Sequence, residues 1–175
     1  MTGRFNYRRL TLRREDGDVY LDRWGIRWNG VGAIYLHKMS APDPGMDLHD
    51  HPWPFVSIIL KGGYTEIVRS IRGLLTDRRN YPETLTPDMS PPRIKTWKRG
   101  SIHVVGKDEA HTIIDLNETP SWSLVFTGRV SREWGFYEQT SGNSLDVIHR
   151  YIVAPEYDSE KRGVFVERQR NDSNG

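Results

Sequence analysis

What most constrains this chain is its punctuation. Short runs of β-branched and aromatic residues alternate with turn residues, and nothing resembles a long amphipathic helix. The runs are Tyr7–Leu12, Val19–Asp22, Ala33–Met39, Val56–Leu60, Tyr64–Arg69, Ile94–Lys98, His111–Leu116, Ser123–Thr127 and Trp134–Tyr137. Each reads as a strand. Between the fourth and fifth stands Lys61-Gly62-Gly63, which reads as a hairpin turn because glycine tolerates positive φ. Strands spaced in this way predict an all-β sandwich or barrel rather than alternating βα units. Leu145–Ile152 is the expected short helix, capped by Asn143 or Ser144.

Residues 1–165 are expected to form a single domain, since 175 residues suffice for one core and would be tight for two. The polar stretch 166–175 reads as a disordered tail. Residues 72–93, rich in Pro, Arg, Asp and Thr, read as a long loop over one mouth of the barrel.

Composition narrows the chemistry. The net charge of +2 argues against a nucleic-acid binder, which normally carries a strong basic excess. With no cysteine, any metal must be held by His, Asp or Glu, and a reducing cytoplasm is the expected compartment. No apolar core follows the first residues, so no signal peptide is expected. The longest apolar run, 55–60, is interrupted by Ser57 and far shorter than the roughly 20 residues of a membrane span, so no membrane partner is expected.

The informative segment is Leu48-His49-Asp50-His51-Pro52-Trp53. Histidines at i and i+2 on a strand share a face, so both imidazoles can converge on one ion while Asp50 points away. Neutral imidazole is the commonest protein ligand for Zn, Fe, Ni and Cu. A second segment, Arg99 to Asp115, runs through turn residues into a strand that opens with His111. A third imidazole from a neighbouring strand would complete a face of three nitrogens.

These two segments resemble the motifs of the cupin superfamily. His49, His51 and Gly62 stand in the relation of the first motif, and Gly100 and His111 in that of the second. The departures are specific: Asp43 replaces the leading glycine, Phe55 or Val56 the glutamate, Gly106 and Asp108 the Pro and Gly, and Asp115 the Asn. The resemblance covers residues 43–115. It implies a double-stranded β-helix (jelly-roll) barrel with few short helices, one divalent metal on His49, His51 and His111, and often a homodimer. The missing glutamate resembles the three-His iron site of thiol dioxygenases.

Glu66 is the candidate replacement carboxylate, either facing inward to the metal or outward and solvated. Trp53, Tyr64 and Arg69 are the candidate substrate-pocket residues. The run Trp134–Tyr137 reads as barrel core by default. Arg69, Arg72, Arg78, Arg79 and Arg93 form a basic group in or beside the long loop, a solvated face by default or else a clamp for a carboxylate or phosphate. Of the remaining histidines, His37 reads as a core residue or a donor behind the ligands, His103 as exposed, and His149 as structural.

The expected function is that of a metal-dependent protein acting on a small molecule, with Fe(II) and oxygenase chemistry first. Zn, Ni or Mn would instead suit Lewis-acid chemistry. A non-catalytic small-molecule or sugar-binding barrel and a cupin isomerase or epimerase stay open.

Overall fold

The computed structural model describes residues 5–14, 16–45, 47–71, 91–140, 148–153 and 165–169. Among the described residues there are thirteen strands: β1 (Phe5–Arg13), β2 (Val19–Trp28), β3 (Gly32–Met39), β4 (Leu48–His49), β5 (Phe55–Lys61), β6 (Gly63–Ser70), β7 (Arg93–Lys98), β8 (Ile102–Val105), β9 (Glu109–Leu116), β10 (Ser121–Thr127), β11 (Gly135–Thr140), β12 (Ile148–Val153) and β13 (Phe165–Gln169). They build two antiparallel sheets. The first has the order β13-β1-β2-β3-β10-β5-β8 and the second β12-β11-β4-β9-β6-β7.

The eight strands β3 to β10 are a folded-over ribbon. The outermost pair is β3 with β10, then β4 with β9, β5 with β8, and β6 with β7 at the tip. Rolling that ribbon creates two further pairings, β5 with β10 and β6 with β9. This is the double Greek key of a jelly roll. The all-β expectation therefore holds, and all nine expected strands are present.

Lys61-Gly62-Gly63 is not a hairpin. β5 and β6 lie in different sheets, and the two glycines turn the chain from one sheet to the other at φ of 71° and 130°. A Cβ on Gly63 would sit 2.1 Å from the Trp97 carbonyl oxygen, so only glycine fits this corner. Glu66 consequently pairs with Lys95 and Ile113, not with β5.

Two more expectations change. Ile148–Val153 is strand β12 on the edge of β11. Its β-branched and aromatic residues suit a ready strand edge better than an isolated helical turn, while residues 145–147 lie outside the described residues. Residues 166–169, expected to be tail, pair with β1 as part of β13. The expected loop over one mouth lies largely outside the described residues, with Arg72, Arg78 and Arg79, as do the side chain of His149 and residues 170–175.

The core between the sheets is built from Phe55, Val105 and Val125 on one side and Ile59, Tyr64 and Ile113 on the other. At about 25 cal/mol per Å2 of apolar surface, each such side chain contributes about 1.5–3 kcal/mol on burial.

Candidate metal centre

β4 is only two residues long, yet it places the site. His49 pairs directly with His111 on β9 and with Phe136 on β11. His51 lies beyond the end of β4, and its ring returns to the other two. The ring centroids are 5.2 Å apart for His49 and His51, 4.8 Å for His49 and His111, and 5.1 Å for His51 and His111. One nitrogen from each lies within 4.8 Å of the others.

Asp50, between the two ligand-type histidines, points away from them and anchors them. It is fully buried, accepts hydrogen bonds from the Gly135 amide (2.9 Å) and the Tyr137 hydroxyl (2.8 Å), and lies 3.4 Å from Nη2 of Arg132. Nε of Arg132 also donates to the His51 carbonyl at 3.1 Å. The segment that carries the histidines is thus tied to β11 from behind.

Glu66 stands behind His111. Its Oε2 accepts from Nδ1 of His111 at 2.6 Å, and its Oε1 accepts from Nε1 of Trp97 at 2.7 Å with Nε2 of His103 at 3.2 Å. Nδ1 of His103 accepts from the Tyr64 hydroxyl at 3.0 Å. Both carboxylate oxygens are therefore committed on the far side of His111 from the histidine cluster. Sequence reasoning weighed Glu66 as a metal ligand; its carboxylate instead bonds His111, on the side away from the other two imidazoles.

The structure overturns the exposed reading of His103, which is 1% exposed. Alternation along Ile102-His103-Val104-Val105 turns His103 and Val105 inward. That alternation was the signal available in the sequence.

The electrostatics follow from burial against partners. Burial pulls the His111 ring down, but the hydrogen bond and charge of Glu66 outweigh it, so its pKa lies above the usual value. Burial pushes the Glu66 carboxyl up, and His111, His103 and Trp97 together bring it below the usual value. His103 is held down at about 4, mainly by burial, with Glu66 opposing. His51 is held well below the usual imidazole range by burial first and then by the positive charge of His111, Arg23 and His37. Burial, then Glu66, raises the Tyr64 hydroxyl.

These residues fit a metal ion. Nε2 of His51 and Nε2 of His111 face one another at 2.8 Å. Two nitrogens each about 2.1 Å from one ion and at right angles about it would stand about 3.0 Å apart. His49 and His111 are buried, whereas His51 keeps accessible surface, so the cluster opens on the side of His51. Phe55, Trp134 and Phe136 pack their rings around the three imidazoles.

The expected pocket residues Trp53, Tyr64 and Arg69 take three different places. The Tyr64 side chain belongs to the His103–Glu66 network. Arg69 lies on the face of β6 opposite Glu66, by strand alternation. Trp53 packs against the Phe55 cluster and lines a surface cleft with Trp28, Val31, Tyr35 and Arg129, which none of the three histidines lines. Arg93, on β7, lies 3.8 Å from Glu109.

A pair that sequence reasoning did not join faces the cluster instead. Arg23 on β2 and His37 on β3 are opposite one another, and the Arg23 charge is among the causes that hold the His51 ring below the usual range. The Arg23 guanidinium lies over the Tyr35 ring at 5.0 Å. Gly25 makes room for that ring, since a Cβ there would fall 2.2 Å from Cδ1 of Tyr35. Nε of Arg23 and Nε2 of His37 are buried without a hydrogen-bond partner. Burial, then Arg23, holds His37 well below the usual range.

No family model matches the sequence, and no curated protein matches it. Among solved structures the chain is similar to hydroxypropylphosphonic acid epoxidase from S. wedmorenis, at 11% identity and a TM-score of 0.42 over 68% of this chain and 55% of that one. It is similar to Fe(II)-HppE with the alternative substrate (S)-1-HPP, at 12% identity and 0.41 over 65% and 51%. A third similarity is to Momordica charantia 7S globulin, at 8% identity and 0.44 over 77% and 39%. The chain spans about half the length of the first two.

Proposed function

We propose that this chain is a metal-dependent cupin that holds one divalent ion, Fe(II) first, on His49, His51 and His111, and acts as an oxygenase on a small molecule carrying an anionic group. The observation that carries the reading is the convergence of three imidazoles with Glu66 behind one of them. A ferrous ion on a face of three neutral nitrogens keeps positions open for oxygen and substrate.

The chain's own residues have separable tasks. Glu66 keeps the proton of His111 on Nδ1, so the Nε2 lone pair is directed at the shared point. Asp50 and Arg132 hold the backbone that carries His49 and His51. Phe55, Trp134 and Phe136 keep water from the rings. Arg23 supports the anionic substrate class: it is a cation with an unsatisfied donor near His51, suited to a carboxylate or phosphonate.

Elemental analysis of protein purified without added metal or chelator, followed by titration of the metal-free form, tests this. One equivalent of iron, lost in His51→Ala and His111→Ala with the fold retained, supports the reading, and oxygen-uptake screening follows. One equivalent of Zn, Ni or Mn, with no oxygen uptake after iron loading, would move the function to Lewis-acid chemistry. No metal bound and none taken up would end it.

A further inference from the structure

One end of the first sheet carries a cleft that the histidine centre does not use. Directly paired residues share a face of a sheet. Arg27, Ala33 and Thr127 therefore form one rung across β2, β3 and β10, and Gly25, Tyr35 and Val125 form the next rung on that face. Arg23, His37 and Ser123 form the third. The cleft, of about 100 Å3, is lined by the whole first rung and by Tyr35 of the second. Arg23 and His37 contact the Tyr35 ring from the third rung and do not line it.

The backbone around the cleft is held in place. Oγ1 of Thr127 accepts from the Ala33 amide at 2.9 Å. The Gly128 amide donates to the Pro54 carbonyl at 2.9 Å, and the Ser131 amide to the Pro52 carbonyl at 2.9 Å. The segment that carries Arg129 is thus tied to the segment that carries Trp53. A Cβ on Gly32 would fall 2.1 Å from the Thr127 carbonyl oxygen, so glycine lets the turn after Trp28 close on the end of β10.

The lining defines a chemistry. Three of its side chains are aromatic, Trp28, Tyr35 and Trp53, and its two charged side chains are both guanidiniums, Arg27 and Arg129. No carboxylate lines it. Neither arginine has an ion pair or a side-chain hydrogen bond among the described residues. Guanidinium and indole N–H groups donate and cannot accept. The complementary ligand is therefore rich in acceptors, anionic at one end and flat at the other.

We propose that this cleft is a binding site for an aromatic phosphate, with the ring against Trp28 and Trp53 and the phosphate on Arg27 and Arg129. A phosphate monoester carries a charge of about −1.5 to −2 at pH 7, which matches two unpaired cations better than a carboxylate does. Guanidinium also meets phosphate oxygens through paired N–H groups. The volume is on the scale of one ring, since a cavity of about 150 Å3 accepts benzene. None of the three histidines lines the cleft, so the site stands independently of the metal.

Isothermal titration of the full chain, as purified, with phenyl phosphate tests the proposal. One equivalent should bind, with inorganic phosphate and benzyl alcohol each bound at least about tenfold more weakly. Arg27→Gln and Arg129→Gln should each weaken binding by about tenfold or more. Val31→Glu, at a rim position that is 70% exposed, sets a carboxylate beside the guanidiniums without touching the core. It should abolish binding and leave the far-ultraviolet dichroism spectrum unchanged. His51→Ala and Arg23→Gln should bind phenyl phosphate as the wild type does, which keeps a failure of the metal reading separate from a failure of the cleft. A wild type that does not bind phenyl phosphate at millimolar concentration would overturn the proposal, as would equal affinity in wild type and Val31→Glu. Inorganic phosphate bound as tightly as phenyl phosphate would remove the ring and overturn it too. A loss confined to His51→Ala or Arg23→Gln would place the phosphate at the histidine cluster, with the same result.

Discussion

Oε2 of Glu66 lies 2.6 Å from Nδ1 of His111, while Nε2 of the same ring lies 2.8 Å from Nε2 of His51. One imidazole thus carries a carboxylate at one end and the shared nitrogen cluster at the other. Removing the charge of Glu66 should weaken the ligand without removing it. Glu66→Gln is expected to lower metal affinity by about 10–100-fold while leaving stoichiometry and the number of nitrogen ligands unchanged. Chelator competition measures the first and X-ray absorption the second. Unchanged affinity would separate Glu66 from the metal centre.

Asp50 governs the position of the histidine pair rather than its chemistry. Asp50→Ala strands the Gly135 amide, the Tyr137 hydroxyl and Arg132 in a buried site. Loss of one partner from such a site costs about 3–5 kcal/mol. Urea unfolding should show that loss, and metal retention should fall with it. A cost below about 1 kcal/mol would mean that β11 is held to β4 by other contacts.

The His49–His51 pair and His111 were legible because the His-x-His spacing and the turn-rich segment before His111 stand out in the sequence, although only His49 and His111 lie on strands. Their convergence was not local: it depends on the pairing of His49 with His111, more than 60 positions apart. Glu66 was legible as a residue but not in its role. That role turned on whether Gly62-Gly63 closes a hairpin or turns between sheets, and the same two glycines serve either. The facing of β10 was equally ambiguous, because Ser-Trp-Ser-Leu-Val-Phe-Thr satisfies strand periodicity both ways round. Binary patterning favours Trp122, Leu124 and Phe126 inside. The register with β3 and β5 puts Ser121 and Ser123 there instead.

His103 closes the network behind His111, and its removal should separate stability from ligation. His103→Ala leaves the Tyr64 hydroxyl without its acceptor in a buried site. The expected cost is about 1–3 kcal/mol of stability, with one equivalent of metal still bound. Loss of metal stoichiometry in this variant would make His103 a ligand.

His37 predicts a pH dependence of the metal-free protein. Its folded pKa is depressed, by burial first and then by Arg23, so the folded state stays neutral where the unfolded chain takes up a proton. The unfolded state binds more protons below about pH 6.5, so stability falls as pH drops from there towards the depressed folded value. Replacing the imidazole removes one proton from that balance. The difference between wild type and His37→Gln should therefore change by up to about 1.4 kcal/mol per pH unit below pH 6.5 and be flat above it. Parallel curves for the two proteins across pH 5–6.5 would contradict the buried, neutral assignment.

Arg23 tests the substrate class before any substrate is known. Its Nε is buried without a partner, its guanidinium rests on Tyr35, and its charge reaches His51. A carboxylate entering beside the cluster would meet a donor that nothing in the described residues satisfies. Benzoate and acetate serve as probes in ligand-observed NMR with the metal-loaded protein. A charge-assisted hydrogen bond contributes about 1.5–3 kcal/mol, so Arg23→Gln should weaken binding by about tenfold or more. Gly25→Ala should do the same indirectly, because its Cβ displaces the Tyr35 ring on which the guanidinium rests. Neutral probes such as benzamide should bind both variants as they bind the wild type. Equal carboxylate affinity in wild type and Arg23→Gln would remove the anionic group from the substrate while leaving the histidine centre untouched.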